Sequence, residues 1–281
     1  MDLNCEIINN VTKSLSEDIG KCDLTASLIK NESNATAAVI SREKAILCGI
    51  QWFEACFHQL SPRTKISWFA KDGDRISAEQ ELCRIKGNAR SLLTAERSAL
   101  NFLQTLSAIA TQTRAYVNKV AGTRALIVDT RKTIPGLRLA QKYAVRCGGG
   151  LNHRFGLYDG ILIKENHIIS AGGIESAINA ANIISPKDLS IQIEVETKEG
   201  LMKAIDAGAK MILLDNFNLY DLKGAVNLAK ELTNTNIILE ASGGITLDNV
   251  REVAETGVDR ISIGSITKNI RAIDFSMTFI A

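Results

Sequence analysis

The sequence predicts an α/β chain whose C-terminal part is built from repeated parallel βα units. Three observations carry this reading. After Gly122, short apolar runs recur, each followed by a stretch with helical periodicity. Strand, helix, strand at this spacing requires parallel strands joined by crossover helices. Nearly every apolar run then ends in polar residues, as at the C-terminal rim of a barrel of the TIM type. Such a barrel, complete or lacking a unit, is the first reading. A doubly wound open sheet is the structural alternative.

Taken in order, the elements are as follows. Residues 36–47, 65–69 and 81–86 alternate as strands do, and Lys71-Asp72-Gly73-Asp74 has hairpin-turn chemistry. Leu100, Leu103, Leu106, Ile109 and Val117 recur near helical spacing, so a long helix is expected over 91–120, stopped at Gly122. The parallel strands are expected at 125–128, 161–163, 191–193, 211–214, 237–239 and 261–263. Helices are expected at 173–183, 198–207, 219–232 and 247–256, and residues 151–157 could add a seventh strand.

Composition narrows the function. Of 281 residues, 46% are hydrophobic, enough to bury a sizeable core. The net charge of +2 argues against a nucleic-acid coat or a membrane-surface protein, which need a broad basic face. Any anion site must therefore be local. No apolar run approaches a membrane span, and MDLNCEIINN lacks the pattern of a signal peptide. Cys5, Cys22, Cys48, Cys56, Cys83 and Cys147 form no CxxC pair and no ligand-like spacing with the histidines. Reduced thiols in a cytoplasmic protein are expected.

The local anion site is visible. From Arg131 to Tyr158 there are six Arg or Lys and no Asp or Glu. Arg131, Lys132 and Arg154 lie at expected strand ends, where a merely solvated helix face does not put them. Lys142 and Arg146 fit such a face. Arg presents a fork of donors that matches planar carboxylates and phosphates, and His153 could add a donor. Ser242-Gly243-Gly244 and Gly264-Ser265 each follow a strand and precede an expected helix, where backbone N–H groups can cradle a phosphate or simply form a tight turn. Glu194 and Asp215 end adjacent strands and could hold Mg²⁺, although strand parity leaves Glu194 and Glu196 equivalent. A single carboxylate paired with Lys164 or Arg131 is the plainer alternative. The residue set favours group transfer at a phosphorylated sugar over hydrolysis through a covalent intermediate.

Seven motifs then stand in one order: Glu17-Asp18-Ile19-Gly20 with Asp23-Leu24-Thr25; Ala95-Glu96-Arg97 with Leu100-Asn101; Asp129 to Gly136; Asn152-His153-Arg154; Lys164-Glu165-Asn166-His167; Leu214-Asp215-Asn216-Phe217; and Glu240 to Ile245. Together they resemble the quinolinate phosphoribosyltransferases over nearly the whole chain. Cys22 departs from the glycine usual in the first motif. The resemblance implies an N-terminal α/β sandwich, residues 1–110 with 268–281 packing back on it, and an incomplete seven-stranded TIM-like barrel over 111–267. It implies transfer of phosphoribose from phosphoribosyl pyrophosphate to quinolinate with Mg²⁺, giving nicotinate mononucleotide, pyrophosphate and CO₂ in NAD biosynthesis. Carried onto this chain, Arg131, His153 and Arg154 would hold the quinolinate carboxylates, and Lys132 and Lys164 would assist at the carboxylates and pyrophosphate. Glu194, preferred over Glu196 by the family's spacing, and Asp215 would engage the ribose hydroxyls and the metal. Ser242, Gly243, Gly244 and Gly264 would bind a phosphate. Arg97 would reach the site of a neighbouring copy in a homodimer or higher homo-oligomer.

Overall fold

The computed structural model describes residues 2–186, 189–233 and 235–280. In chain order the first elements are α1 (Leu3–Ile19), β1 (Asn34–Ser41), β2 (Ala45–Ile46), α2 (Ile50–Leu60), β3 (Lys65–Trp68), β4 (Arg75–Ile76), β5 (Glu81–Asn88) and α3 (Ala89–Lys119). Then come β6 (Leu126–Val128), α4 (Arg138–Cys147), β7 (Ile161–Ile163), α5 (Glu165–Ala171), α6 (Ile174–Ile184), β8 (Ile191–Val195), α7 (Lys198–Asp206) and β9 (Met211–Asp215). The last are α8 (Leu219–Leu232), β10 (Ile238–Ser242), α9 (Val250–Glu255), β11 (Arg260–Ser262), α10 (Ser265–Lys268) and β12 (Phe275–Ile280). They fall into two compact units. One comprises Met1–Arg114, Thr133–Gly149 and Ile266–Ala281; the other comprises Ala115–Lys132 and Gly150–Ser265. The sequence reading put 1–110 with 268–281 in one domain and 111–267 in the other; in the structure Thr133–Gly149, the stretch carrying α4, also groups with the first unit.

In the first unit an antiparallel sheet runs in the order β12-β1-β5-β3. Residues 36–47 are not one strand. The chain turns after Ser41, whose Oγ donates to the Glu43 carbonyl at 2.6 Å, and β2 pairs with β4 instead. The 71–74 turn therefore joins strands of different sheets rather than closing a hairpin. The core gathers Val39, Leu82 and Ile85 from the strands with Trp52, Phe53 and Phe57 from α2. Gly49 sits at the N-terminus of α2 with φ +111°, a conformation a Cβ would strain. Asp72 accepts from the Gly49 and Ile50 N–H groups there at 3.0 and 3.2 Å and so caps the helix.

In the second unit the parallel sheet runs β6-β11-β10-β9-β8-β7. Strands β7 to β11 lie in sequence order, and the first strand, β6, pairs with the last, β11, through Arg260↔Leu126 to Ser262↔Val128. This is the singly wound order of a barrel left open between β6 and β7, and a doubly wound sheet would instead reverse its strand order partway. Alternation separates the faces. Ile193, Ile212, Leu214, Leu239 and Ile261 are buried, while Gln192, Glu194, Leu213, Asp215, Glu240 and Ser242 border a common cavity or its floor. Ile212 and Ile261 are fully buried, and cutting either to Ala costs about 2–5 kcal/mol.

The expected seventh strand is reduced to one bridge, Val128↔Leu151. The reason is local. The N–H of His153 goes to Asp129 Oδ1, that of Arg154 to His153 Nδ1, and those of Phe155 and Gly156 to Asp159, all at 2.8 Å. Four consecutive backbone donors are taken by side chains, so no ladder can propagate.

Candidate active site

The rim of the parallel sheet opens on a cavity of about 340 Å³. Its wall includes Arg131, Lys132, His153, Arg154, Lys164, Glu194, Asp215 and Ser242, so eight residues singled out from the sequence meet in one place. Thr130, Leu162, Leu213, Glu240 and Ser262 complete it. A cavity of about 330 Å³ in the first unit, bordered by Lys13, Glu17, Asn101 and Phe102, carries no such convergence of cations.

Arg154 and Lys164 are fixed by local hydrogen bonds. Arg154 is half-buried, and its Nη1 donates to the Gly160 carbonyl at 2.9 Å. Burial first, and the neighbouring Arg131 guanidinium second, push the Arg154 guanidinium below its usual value. Two cations crowded in a desolvated place are a standing demand for an anion. Lys164 ends β7 and precedes α5; its N–H donates to His167 Nδ1 at 2.9 Å, which fixes that turn. Its Nζ meets Glu194 Oε2 at 2.7 Å. Glu194 on β8 is 14% exposed and borders the cavity, whereas Glu196 lies beyond the strand, exposed and off the wall. The parity tie is thus settled for Glu194.

Asp215 ends β9. Its Oδ2 accepts from Asn216 Nδ2 at 2.8 Å, and Asn216 adopts φ +58°, a left-handed turn that Asn tolerates. Asn216 N–H also donates to the Ser242 carbonyl at 2.9 Å, tying the ends of β9 and β10 together. Gly243 has φ +98°, and a Cβ there would meet Asn216 Oδ1 and stand 2.9 Å from the Asn216 nitrogen. Only glycine fits. A Cβ on Gly264 would come within 3.0 Å of Lys132 Cδ, so Gly264 lets the Lys132 stem pass. The helix expected directly after Ser242-Gly243-Gly244 begins only at Val250, and α10 has four residues. The phosphate signal therefore rests on turn backbone, with no long helix behind it, because Thr246 and Asn249 build a side-chain turn first.

Three placements bear on the sequence reading. Lys142, expected on a solvated face, is fully buried in the α4 face that also buries Gln141, Ala144 and Val145. Arg97 is exposed on α3, in the first unit, and does not border the cavity. Cys48 and Cys147 come together with Asp72, their ligand atoms within 4.8 Å of one another. Asp72 is already committed there to the α2 cap and to the Tyr143 hydroxyl at 2.7 Å.

Sequence reasoning also missed two organisers. Asp129 is fully buried and accepts from His153 N–H and from Asn152 Nδ2, at 2.8 and 2.6 Å. Glu240 is fully buried under the cavity, where Gln192 Nε2 donates to its Oε2 at 3.1 Å. Asp129 and Glu240 stood within quoted motifs, but a buried carboxylate at a strand end has no period or spacing that marks it.

The comparisons agree along the chain. Residues 23–107 match the model of the quinolinate phosphoribosyl transferase N-terminal domain and residues 109–278 that of the C-terminal domain. A Bacillus subtilis (strain 168) protein is 42% identical over 261 residues, covering 93% of this chain and 89% of that one. The nicotinate-nucleotide pyrophosphorylase [carboxylating] of Mycobacterium leprae (strain TN) is 36% identical over 273 residues, covering 96% and 95%. The structure of the nicotinate-nucleotide pyrophosphorylase from Francisella tularensis superposes with a TM-score of 0.94 at 44% identity, covering 100% of this chain and 98% of that one. Among the described residues no helix is long and apolar enough to cross a membrane. With both domain models matched end to end over the same strands that carry the cavity, the chain belongs to the quinolinate phosphoribosyl transferase family.

Proposed function

We propose that this cavity joins quinolinate to phosphoribosyl pyrophosphate, releasing pyrophosphate and CO₂ and leaving nicotinate mononucleotide for NAD biosynthesis. The observation that carries the reading is the pairing of Arg131 and Arg154 in one desolvated wall, opposite the Lys164–Glu194 pair and Asp215. Two guanidiniums answer the two adjacent carboxylates of quinolinate and fix the ring for attack. The pyridine nitrogen brings its own lone pair to the sugar carbon, so no general base is required. Lys132 and Lys164 are positioned to neutralise the departing pyrophosphate. Glu194 and Asp215 receive the ribose hydroxyls and stabilise the oxocarbenium-like sugar. After transfer the C2 carboxylate leaves as CO₂, and the electron pair it leaves is stabilised by the adjacent cationic ring nitrogen.

Glu194 and Asp215 also fit Mg²⁺. Each gives one oxygen to a neighbour and keeps a second outside that bond, and two hard oxygens suit an ion that completes its shell with substrate phosphates and water. Bound there, Mg²⁺ would offset the charge of the pyrophosphate. Ser242, Gly243, Gly244 and Gly264 are assigned the phosphoribosyl phosphate. Arg97, exposed on α3, is assigned to the cavity of a neighbouring copy in a homodimer or larger homo-oligomer. The six cysteines are free thiols, which accords with a reducing cytoplasm. The test is pyrophosphate release from phosphoribosyl pyrophosphate with and without quinolinate, with CO₂ collected in parallel. Release that requires quinolinate and is matched by CO₂ is expected; release indifferent to quinolinate overturns the assignment.

A further inference from the structure

Glu240 is bonded through one carboxylate oxygen only. It is fully buried in β10, yet its Oε1 accepts no hydrogen bond and lies 3.9 Å from His153 Nε2. Its Oε2 accepts from Gln192 Nε2 at 3.1 Å, and Gln192, 3% exposed, turns its own Oε1 to His153 Nε2 at 2.8 Å. His153 Nδ1 in turn accepts from the Arg154 N–H at 2.8 Å. The directions are forced. A carboxylate can only accept, so the amide must present its NH₂ to Glu240 and its oxygen to the histidine. The histidine then needs its proton on Nε2, which is also what the Arg154 N–H bond at Nδ1 requires. Both ends of the relay select the same tautomer, and both ring nitrogens are engaged within the protein.

We propose that Glu240 is a positioning residue for the acceptor site: through the Gln192 amide it sets the tautomer and orientation of His153, and through His153 the backbone of Arg154. In this arrangement His153 serves the acceptor by holding Arg154 in place, while its Nε2 proton goes to Gln192. The relay touches only the carboxylate-binding wall. Lys132, Glu194 and Asp215 stand outside it, so its loss separates quinolinate binding from phosphoribosyl pyrophosphate binding.

This rests on the proposed acceptor, and its test therefore includes a readout taken without substrate. The chain has three histidines, His58, His153 and His167. Nitrogen-15 labelling of their rings, assigned with His58→Asn and His167→Asn, reports the tautomer of His153 directly. In the unsubstituted protein a single Nε2–H tautomer is expected. Glu240→Leu is expected to replace it by a mixture and to raise the quinolinate KM about tenfold or more. The phosphoribosyl pyrophosphate KM is expected to move less than about threefold. Glu240→Gln, whose carbonyl can still face Gln192, is expected to restore the single tautomer and most of the quinolinate affinity. If Glu240→Leu does not fold, Gln192→Met breaks the same relay and is read identically. The proposal is overturned if the relay variants leave His153 in one tautomer, if both KM values move together, or if Glu240→Gln is as damaging as Glu240→Leu. A quinolinate-independent enzyme with the expected ring signals would sink the acceptor assignment while leaving the relay standing.

Discussion

Arg131 follows β6 and Arg154 follows the Leu151 bridge, with α4 between them in the chain, yet both border one wall, where burial and then the Arg131 guanidinium push Arg154 below its usual value. Arg131→Ala removes a charge-assisted bond to a carboxylate, an interaction of about 1.5–3 kcal/mol. The quinolinate KM should rise about tenfold or more, with the thermal transition unchanged. An unfolded variant would make Arg131 a structural residue. Much of this scale was legible in the sequence. An acid-free basic stretch with cations at expected strand ends does not arise from a solvated face. What stayed hidden were residues whose importance depends on burial. Lys142 reads as an ordinary helix lysine until α4 is seen to bury it, and Glu240 and Gln192 carry no pattern at all.

At the scale of elements, periodicity placed the parallel strands to within three residues, because buried βα units are the strongest signal a sequence gives. It failed at 151–157, where side-chain acceptors at Asp129, His153 and Asp159 take the backbone donors a seventh strand would need. The cap at Gly49 has no periodicity to announce it, since Asp72 reaches it from another turn. That cap has a pH signature. Burial moves the Asp72 carboxyl above its ordinary value, against its bonds to Tyr143 and the α2 N–H groups, which pull it down. A folded pKa above the unfolded one means that the folded state takes up the proton more readily. Its stabilising contribution is present at low pH and is lost as pH rises through the folded value. The stability of the protein relative to Asp72→Asn should therefore increase as pH falls from 7 to about 4. A difference that shrinks on acidification would show that the hydrogen bonds outweigh burial.

For the molecule as a whole, the sequence suggested a barrel, possibly incomplete, and left the doubly wound sheet standing; the singly wound order with β6 beside β11 excludes the doubly wound one. The sequence reading returned the C-terminal segment to the first domain but kept 111–267 whole; Thr133–Gly149 also groups with the first unit, a choice that no local signal encodes. The assignment of Arg97 to a neighbouring copy belongs to this scale. Arg97→Ala and Lys132→Ala chains should each be weak alone. Co-expressed, they should recover up to about a quarter of full activity, because half the dimers are mixed and each has one intact site. No recovery on mixing would return Arg97 to its own chain. The central claim is that the cavity is built for a dicarboxylate. Its most direct measurement is kcat/KM for quinolinate against nicotinate, which has one carboxylate. A site with two half-buried guanidiniums facing one cavity should reject nicotinate by about a thousandfold or more. Equal use of the two would contradict it.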